Sequence, residues 1–135
     1  MGLAINSVKG RSQNQLHIHV DCVRSDVIQV LTRSQNSIGA DWRPLPVRLR
    51  GHHYLATRIE GGELGNTDPF KLLAEKVPKA RAAMGDQTLV VIGAVFKNGK
   101  PGFYVLNDHV DAALGDEASG EELLDHDCAV LGEPQ

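Results

Sequence analysis

The stretch Gln15-Leu16-His17-Ile18-His19-Val20-Asp21-Cys22-Val23 decides the fold, because polar and apolar residues alternate along it with a period of two. That period is typical of a β-strand with one buried face. It predicts a strand over residues 15–23, in which packing of the apolar face holds the polar face rigidly. The polar set is Gln15, His17 and His19, and the apolar set is Leu16, Ile18, Val20 and Cys22.

The residues on either side of this strand predict a hairpin followed by a helix. Residues 3–8 favour a first strand, and Lys9-Gly10-Arg11 favours a turn that joins it to the second. Ser25 is expected to cap a helix from Asp26 to about Ser34. Its apolar stripe is Val27, Val30 and Leu31.

Further along the chain, the pattern predicts a single α+β domain over residues 1–135 with mostly antiparallel pairing. Asn98-Gly99 is a strong hairpin turn, and Ser119-Gly120-Glu121-Glu122 resembles a capping box that would open a final helix toward Cys128. An extended segment is expected over Trp42-Arg43-Pro44-Leu45-Pro46, with strands over 54–59, 88–96 and 102–106. The expected helices are one that Asp68-Pro69 opens and that runs through Lys76, and a short one between Pro78 and Gly85.

Composition and charge narrow the class of protein. Apolar residues make up 41% of 135 and charged residues 23%, which favours a folded domain over a disordered chain. No apolar run reaches the roughly 18 residues of a membrane span, and the start lacks a signal pattern. Residues 1–59 carry eight Lys/Arg against three Asp/Glu, so the front half is expected to face an anion such as a phosphate.

Two kinds of residue keep several interpretations open. Cys22 and Cys128 fit no zinc spacing and no Cys-x-x-Cys motif, so they are either two buried thiols or one disulfide. The pair His17 and His19 fits an exposed strand, two ligands of a metal site, or a nucleophile with its neighbour. His52-His53, Asp108-His109 and Asp125-His126-Asp127 form no spaced ligand set, so no metal site is expected.

The hairpin resembles the histidine-triad (HIT-like) superfamily, whose signature is His-apolar-His-apolar-His with a preceding Ser or Thr. Ser12 stands at that position, and Asn6 stands where the superfamily ends the preceding strand with an asparagine. Gln15 departs from the signature, because a histidine is usual there.

The whole chain is similar to CDP-diacylglycerol pyrophosphatases. The similar stretches are Leu3-Ala4-Ile5-Asn6-Ser7, Gly10-Arg11-Ser12-Gln13-Asn14, His17-Ile18-His19, Cys22-Val23-Arg24, Trp42-Arg43-Pro44-Leu45-Pro46, Leu49-Arg50-Gly51-His52, Pro69-Phe70, Leu73-Ala74-Glu75, Val77-Pro78, Ala80-Arg81, Asp125-His126 and Cys128. This resemblance implies a HIT-like antiparallel sheet with packed helices. It also implies that the amino-terminal half of the family domain is missing here.

The resemblance implies a hydrolase that cleaves CDP-diacylglycerol to CMP and phosphatidate through a nucleotidyl-histidine intermediate. His17 would be the nucleophile and His19 would stabilise the phosphate, without cofactor or metal. The implied substrate-binding residues are Asn6, Arg11, Ser12 and Gln15. The alternatives are a metal-dependent hydrolase with His17 and His19 as ligands, and an inactive nucleotide- or lipid-binding remnant.

The resemblance also implies a place and partners for the protein. The family is attached to the bacterial inner membrane on its periplasmic side, where Cys22 and Cys128 would pair as a disulfide. Contact with the membrane surface would come through the lipid substrate or through a missing amino-terminal anchor, and no nucleic acid is expected to bind. A sheet edge left open by the missing half would favour a homo-oligomer or a swapped dimer.

Overall fold

The structure is a computed structural model that describes residues 2–5, 18–61, 69–77, 87–96, 98–109, 120–125 and 128. The described strands and helices are β1 (Gly2–Ile5), β2 (Ile18–Val23), α1 (Ser25–Arg33), β3 (Arg43–Pro44), β4 (Leu55–Glu60), α2 (Pro69–Lys76), β5 (Gln87–Val95), β6 (Pro101–His109) and β7 (Leu124–Asp125). Short 3-10 helices occupy Gln35–Ser37 and Gly120–Leu123. No helix among these residues has the length and hydropathy needed to cross a membrane.

The strands form one sheet in the order β3-β4-β6-β5-β1-β2-β7, and neighbouring strands run antiparallel. This sheet-rich arrangement is compatible with the predicted α+β class. The predicted β1–β2 hairpin is confirmed by a register that pairs Ile5 with Ile18 and Gly2 with Asp21. The remainder of that prediction, residues 6–17, and the predicted helix between Pro78 and Gly85 lie outside the described residues.

The predicted Asn98-Gly99 turn between β5 and β6 is confirmed. Gly99 adopts a φ of 80°, which a glycine reaches without a side-chain clash, and its N–H donates to the Phe96 carbonyl at 2.8 Å. The return strand is longer than predicted, because β6 pairs with β5 as far as His109.

Alternation along the central strands builds a core on each face of the sheet. Val90 and Leu106 belong to the main cluster, whereas their neighbours Leu89 and Val105 belong to a second, smaller one. α1 packs on the first face and α2 packs on the second. Their buried contacts are Val27 and Leu31 from α1 and Leu73 from α2.

The predicted cap of α1 is wrong by one residue. Arg24 is the N-cap, and Ser25 is already helical. The Arg24 N–H donates to the Leu123 carbonyl at 2.9 Å, which fixes the chain where it leaves β2 and lets the first turn begin at once. Asp26 lies in that first turn and Arg33 in the last, where both charges favour the helix dipole.

The predicted final helix toward Cys128 is wrong. After the 3-10 helix, the chain extends and β7 pairs with β2, Leu124 with Val23 and Asp125 with Cys22. Glycine is a poor helix former, and ladder hydrogen bonds to β2 satisfy the backbone that a longer helix would have paired internally. We refer to residues 120–125 as the crossing segment, because they run over β5 and β1 to the outer edge of β2.

Candidate active site

The hairpin of β1 and β2 fixes where the predicted catalytic strand lies in the sheet. His19 is the cross-strand partner of Ala4, and Ala4 is in turn paired with Val90 of β5. Ala4 is fully buried in the main cluster. The backbone of His19 is therefore held in the sheet by its pairing with β1, a strand that contributes to the core.

The other predicted site residues lie outside the described residues. They are Asn6, Arg11, Ser12, Gln15 and His17. The described ladder nevertheless ends at the pair Ile5 and Ile18. Asn6 follows Ile5 in the chain and His17 precedes Ile18, so both are attached directly to one cross-strand pair.

A disulfide joins the far end of the same strand to the carboxyl-terminal part of the chain. Cys22 and Cys128 are bonded, with a Cα separation of 5.2 Å, and they lie 106 positions apart in the chain. Cys22 is buried and lies opposite Asp125 in the β2–β7 ladder. The bridge and β7 together attach the crossing segment to β2.

The crossing segment lies close against the main-core face of the sheet. The Gly120 N–H donates to Thr88 Oγ1 at 2.9 Å, and Leu123 and Leu124 are both buried in the main cluster. Leu124 and Val23 also occupy the space directly beside Gly2. The segment thus lies over β5 and β1, the strand that pairs with His19.

A carboxylate of the crossing segment contacts an imidazole and a phenol from another part of the chain. His52 Nδ1 lies 2.7 Å from Glu122 Oε1, and the Tyr54 hydroxyl donates to the same oxygen at 2.9 Å. Tyr54 is buried, whereas His52 is 29% exposed and Glu122 24% exposed. We call these three residues the His52 cluster.

Local backbone geometry explains how His52 reaches Glu122. A tight turn joins Leu49 to His52 through two mutual backbone hydrogen bonds of 2.9 Å, with Arg50 at a φ of 52° and Gly51 at 82°. A positive φ is uncommon for arginine and costs about 1 kcal/mol or more. The turn places His52 and Tyr54 two residues apart on an extended chain, so both point toward the same carboxylate.

Two arginines lie beside Asp26 at the start of α1. Arg24 Nε lies 3.2 Å from Asp26 Oδ1, and Arg50 Nη1 lies 4.0 Å from the other oxygen of the same carboxylate. Each of the three is between 37% and 55% exposed, so these ion pairs are weak and their charges are accessible. This arrangement is compatible with the anion-facing front half that the charge distribution predicts.

A separate cavity of about 290 Å³ lies between α1 and the other end of the sheet. Ile28 and Val95 line it, as does Tyr104. Burial raises the pKa of Tyr104 above its ordinary 10.0, although a hydrogen bond from Gln35 and the charge of Arg58 oppose the rise. The cavity is therefore neutral and mostly apolar at pH 7, which does not suit a phosphate.

The family comparison bears directly on these features. A family model for CDP-diacylglycerol pyrophosphatase matches residues 1–132. The chain belongs to the CDP-diacylglycerol pyrophosphatase family. The predicted family is therefore confirmed, and a CDP-diacylglycerol pyrophosphatase is an enzyme that hydrolyses CDP-diacylglycerol.

The CDP-diacylglycerol pyrophosphatase match covers both the hairpin and the crossing segment. The sequence predicts no metal site at His52-His53, and the two rings contact different partners. Arg48 Nε donates to His53 Nε2 at 3.0 Å, away from Glu122. Among the described residues, no three His, Cys, Asp or Glu side chains are grouped closely enough to hold a metal ion.

The His52 cluster was not predicted. The turn Leu49-Arg50-Gly51-His52 was among the family-like stretches, and His52 and Tyr54 share the strand period of two. Those were the only local signals. The partner, Glu122, lies 70 residues from His52 in the chain, and its predicted place was inside a helix that does not form.

Proposed function

We propose that this enzyme cleaves the pyrophosphate bond of CDP-diacylglycerol by covalent catalysis on His17, releasing phosphatidate first and CMP second. The family match over residues 1–132 carries the proposal, because it includes the whole strand on which the histidines stand. The confirmed β1–β2 register supports it further. Pairing with β1 holds β2, which begins directly after His17 in the chain, and so restricts a nucleophile attached there, as attack on a phosphorus atom requires.

In the first step, a ring nitrogen of His17 donates its lone pair to the cytidylyl phosphorus. The bond from that phosphorus to the bridging oxygen breaks, and phosphatidate leaves with the electron pair. An imidazole ordinarily has a pKa of about 6.5, so much of it is neutral and nucleophilic near pH 7. The product is a CMP-histidine, an intermediate that divides one difficult displacement into two.

In the second step, water attacks the same phosphorus and loses a proton to a base. The P–N bond breaks, its electron pair returns to the ring of His17, and CMP departs. No metal or organic cofactor enters this scheme. Preorganised hydrogen-bond donors around the phosphoryl oxygens supply the stabilisation that the charge build-up needs.

The remaining predicted residues take their roles in this proposal from their positions in the strand and turn. His19 follows the nucleophile by two residues and pairs with Ala4 in the sheet. Its role in this proposal is to stabilise the phosphate. Ser12 and Arg11 from the turn bind phosphoryl oxygens, and Asn6 contacts the nucleotide. Gln15, in the place of the first histidine of the triad, orients the substrate through its amide.

A HIT-like fold and a location on the periplasmic side of the bacterial inner membrane belong to the same proposal. The antiparallel hairpin followed at once by α1 is compatible with that fold. The Cys22–Cys128 bridge favours an oxidising compartment, since structural disulfides persist there and are rare in the reducing cytoplasm. The lipid part of the substrate would bring the enzyme to the membrane surface.

Substrate labelled in its cytidine moiety tests the proposal. The unaltered protein is expected to release labelled CMP, and a rapid alkaline quench is expected to trap label on the protein. His17→Ala should abolish both signals, whereas His53→Ala, an exposed histidine bonded to Arg48, should change neither.

Three results would contradict the proposal, each in a different way. Label trapped on a residue other than His17 overturns the assignment of the nucleophile. Loss of activity on removal of metal by a chelator, with His17 and His19 both required, favours the metal-dependent hydrolase. Binding of the cytidine nucleotide without any turnover favours an inactive binding remnant.

A further inference from the structure

We infer that His52, oriented by Glu122 and Tyr54, is the general base of the second step, which hydrolyses the CMP-histidine. The inference rests on the proposed function, because it assigns the proton of the attacking water in that mechanism. It adds a second catalytic histidine from a part of the chain distant from His17.

The hydrogen bonds of the His52 cluster determine which ring nitrogen is basic. An ionised carboxylate can only accept, so the 2.7 Å contact requires that His52 Nδ1 carries a proton. In the neutral ring, the lone pair is then on Nε2. A carboxylate behind an imidazole fixes this tautomer and stabilises the positive charge that forms when Nε2 takes a proton, which is the arrangement a general base uses.

The phenol of Tyr54 holds the carboxylate in place. Its hydroxyl donates to the same oxygen, Glu122 Oε1, at 2.9 Å, and the ring is 1% exposed. Glu122 thus receives two hydrogen bonds on one oxygen from residues of a single strand-like segment. Fixed supporting groups of this kind keep a catalytic imidazole in position, so the ring loses little conformational entropy on reaching the transition state.

The backbone around the His52 cluster is fixed from both sides. The Leu49–His52 turn closes with two hydrogen bonds, and the crossing segment is fastened at Gly120 and by the β2–β7 ladder. Despite this support, 29% of His52 stays exposed. An imidazole that is firmly held and still accessible can meet both water and substrate.

Glu122 connects the His52 cluster to the part of the sheet next to β2. Glu122 belongs to the 3-10 helix that contacts β1 and β5, and β1 carries Ala4, the cross-strand partner of His19. Adjacent strands lie about 4.8 Å apart, so the backbone of the catalytic strand is one strand spacing from the strand that the helix covers. In this proposal, His52 takes the proton of the water that attacks a phosphorus held beside this strand.

The step balances as follows. The lone pair of His52 Nε2 takes a proton from water while the water oxygen forms its bond to phosphorus. The P–N bond to His17 breaks, and its electron pair returns to that ring. His52 then releases the proton to solvent, so the enzyme is regenerated and CMP leaves with the oxygen of the water.

The kinetic test uses His52→Asn with His53→Asn as its matched control. If His52 acts only in the second step, the variant still releases about one phosphatidate per protein in a burst and then accumulates CMP-labelled protein. Steady-state release of CMP should fall about 100-fold or more, the usual contribution of a general base. His53→Asn should keep both phases.

The structural test needs no variant that might misfold. Nitrogen NMR of the unaltered protein, labelled in its histidines, reports the tautomer of each ring. His52 should show a protonated Nδ1 and an unprotonated Nε2, and Glu122→Gln should weaken that preference. The resonance is assigned by its absence in His52→Asn.

The possible outcomes separate this inference from the proposed function. No CMP from the unaltered protein overturns the proposed function. A second case is that the unaltered protein releases CMP normally while His52→Asn loses burst and turnover equally, or loses neither. Either result overturns the role of His52 and leaves the proposed function standing. A neutral His52 ring whose Nε2 carries the proton overturns that role whatever the activity.

Discussion

Gly120 illustrates how a single residue sets the position of the crossing segment. A methyl group at this position would meet Val90 Cγ2 at less than a normal contact distance and Thr88 Oγ1 at 2.8 Å. The absence of a side chain therefore lets the segment lie flat on β5, where its N–H bonds to Thr88. That contact in turn fixes Glu122, two residues on.

We expect Gly120→Ala to lower the free energy of unfolding by about 1 to 3 kcal/mol, because an added methyl group in a tightly packed place forces its neighbours to move. Gly39→Ala is the matched control, since its methyl group would meet nothing within 4 Å. Urea denaturation of both variants measures the effect. Equal stability of the two would show that the segment is not held closely against β5.

Single residues are also where prediction from sequence reached its limit. The strand period predicts His19 on a β-strand, and the register with β1 confirms that place for its backbone. The pairing of His52 with Glu122 was beyond the same reasoning, because local periodicity describes neighbours along one element. It carries no information on which carboxylate 70 residues away will meet a given ring.

At the scale of elements, alternation and turn chemistry predicted well where local preference and tertiary pairing agree. β5, β6 and their Asn98-Gly99 turn, as well as α2 with Pro69 in its first turn, follow the sequence signals. The prediction of a carboxyl-terminal helix is wrong, because a capping box indicates where a helix could start and not whether it continues. There, pairing of β7 with β2 outweighed the local preference for helix.

The disulfide joins β2 to the carboxyl-terminal part of the chain, and its contribution to the free energy of unfolding is testable. A bridge that closes 106 residues is expected to stabilise the fold by about 4 to 5 kcal/mol on the chain-entropy model. Cys22→Ser or reduction should therefore lower the denaturation midpoint markedly and speed amide exchange at Leu124 and Asp125. The reductant should have no effect on Cys22→Ser/Cys128→Ser, and an unchanged midpoint in the reduced natural sequence would contradict the prediction.

The two edges of the whole sheet differ. β3 forms one edge with only Arg43 and Pro44, both exposed, and a short strand that contains proline offers little backbone to a partner. At the other edge, β7 pairs only with Cys22 and Val23 of β2. Among the described residues, no strand pairs with the outer side of residues 18–21.

This asymmetry predicts self-association through the β2 edge, because backbone groups that pair with no strand in the described part of the chain favour the addition of another strand. We expect a second copy of the chain, or a segment exchanged with it, to cover residues 18–21. Light scattering after size-exclusion chromatography should give twice the mass of one chain. Val20→Lys should shift the mass toward one chain, since a lysine at a sheet edge opposes pairing, whereas Val47→Lys, at an exposed valine outside the sheet, should not. A monodisperse single chain at all concentrations would contradict the prediction. Self-association at this edge would then limit how closely a lipid surface approaches β2.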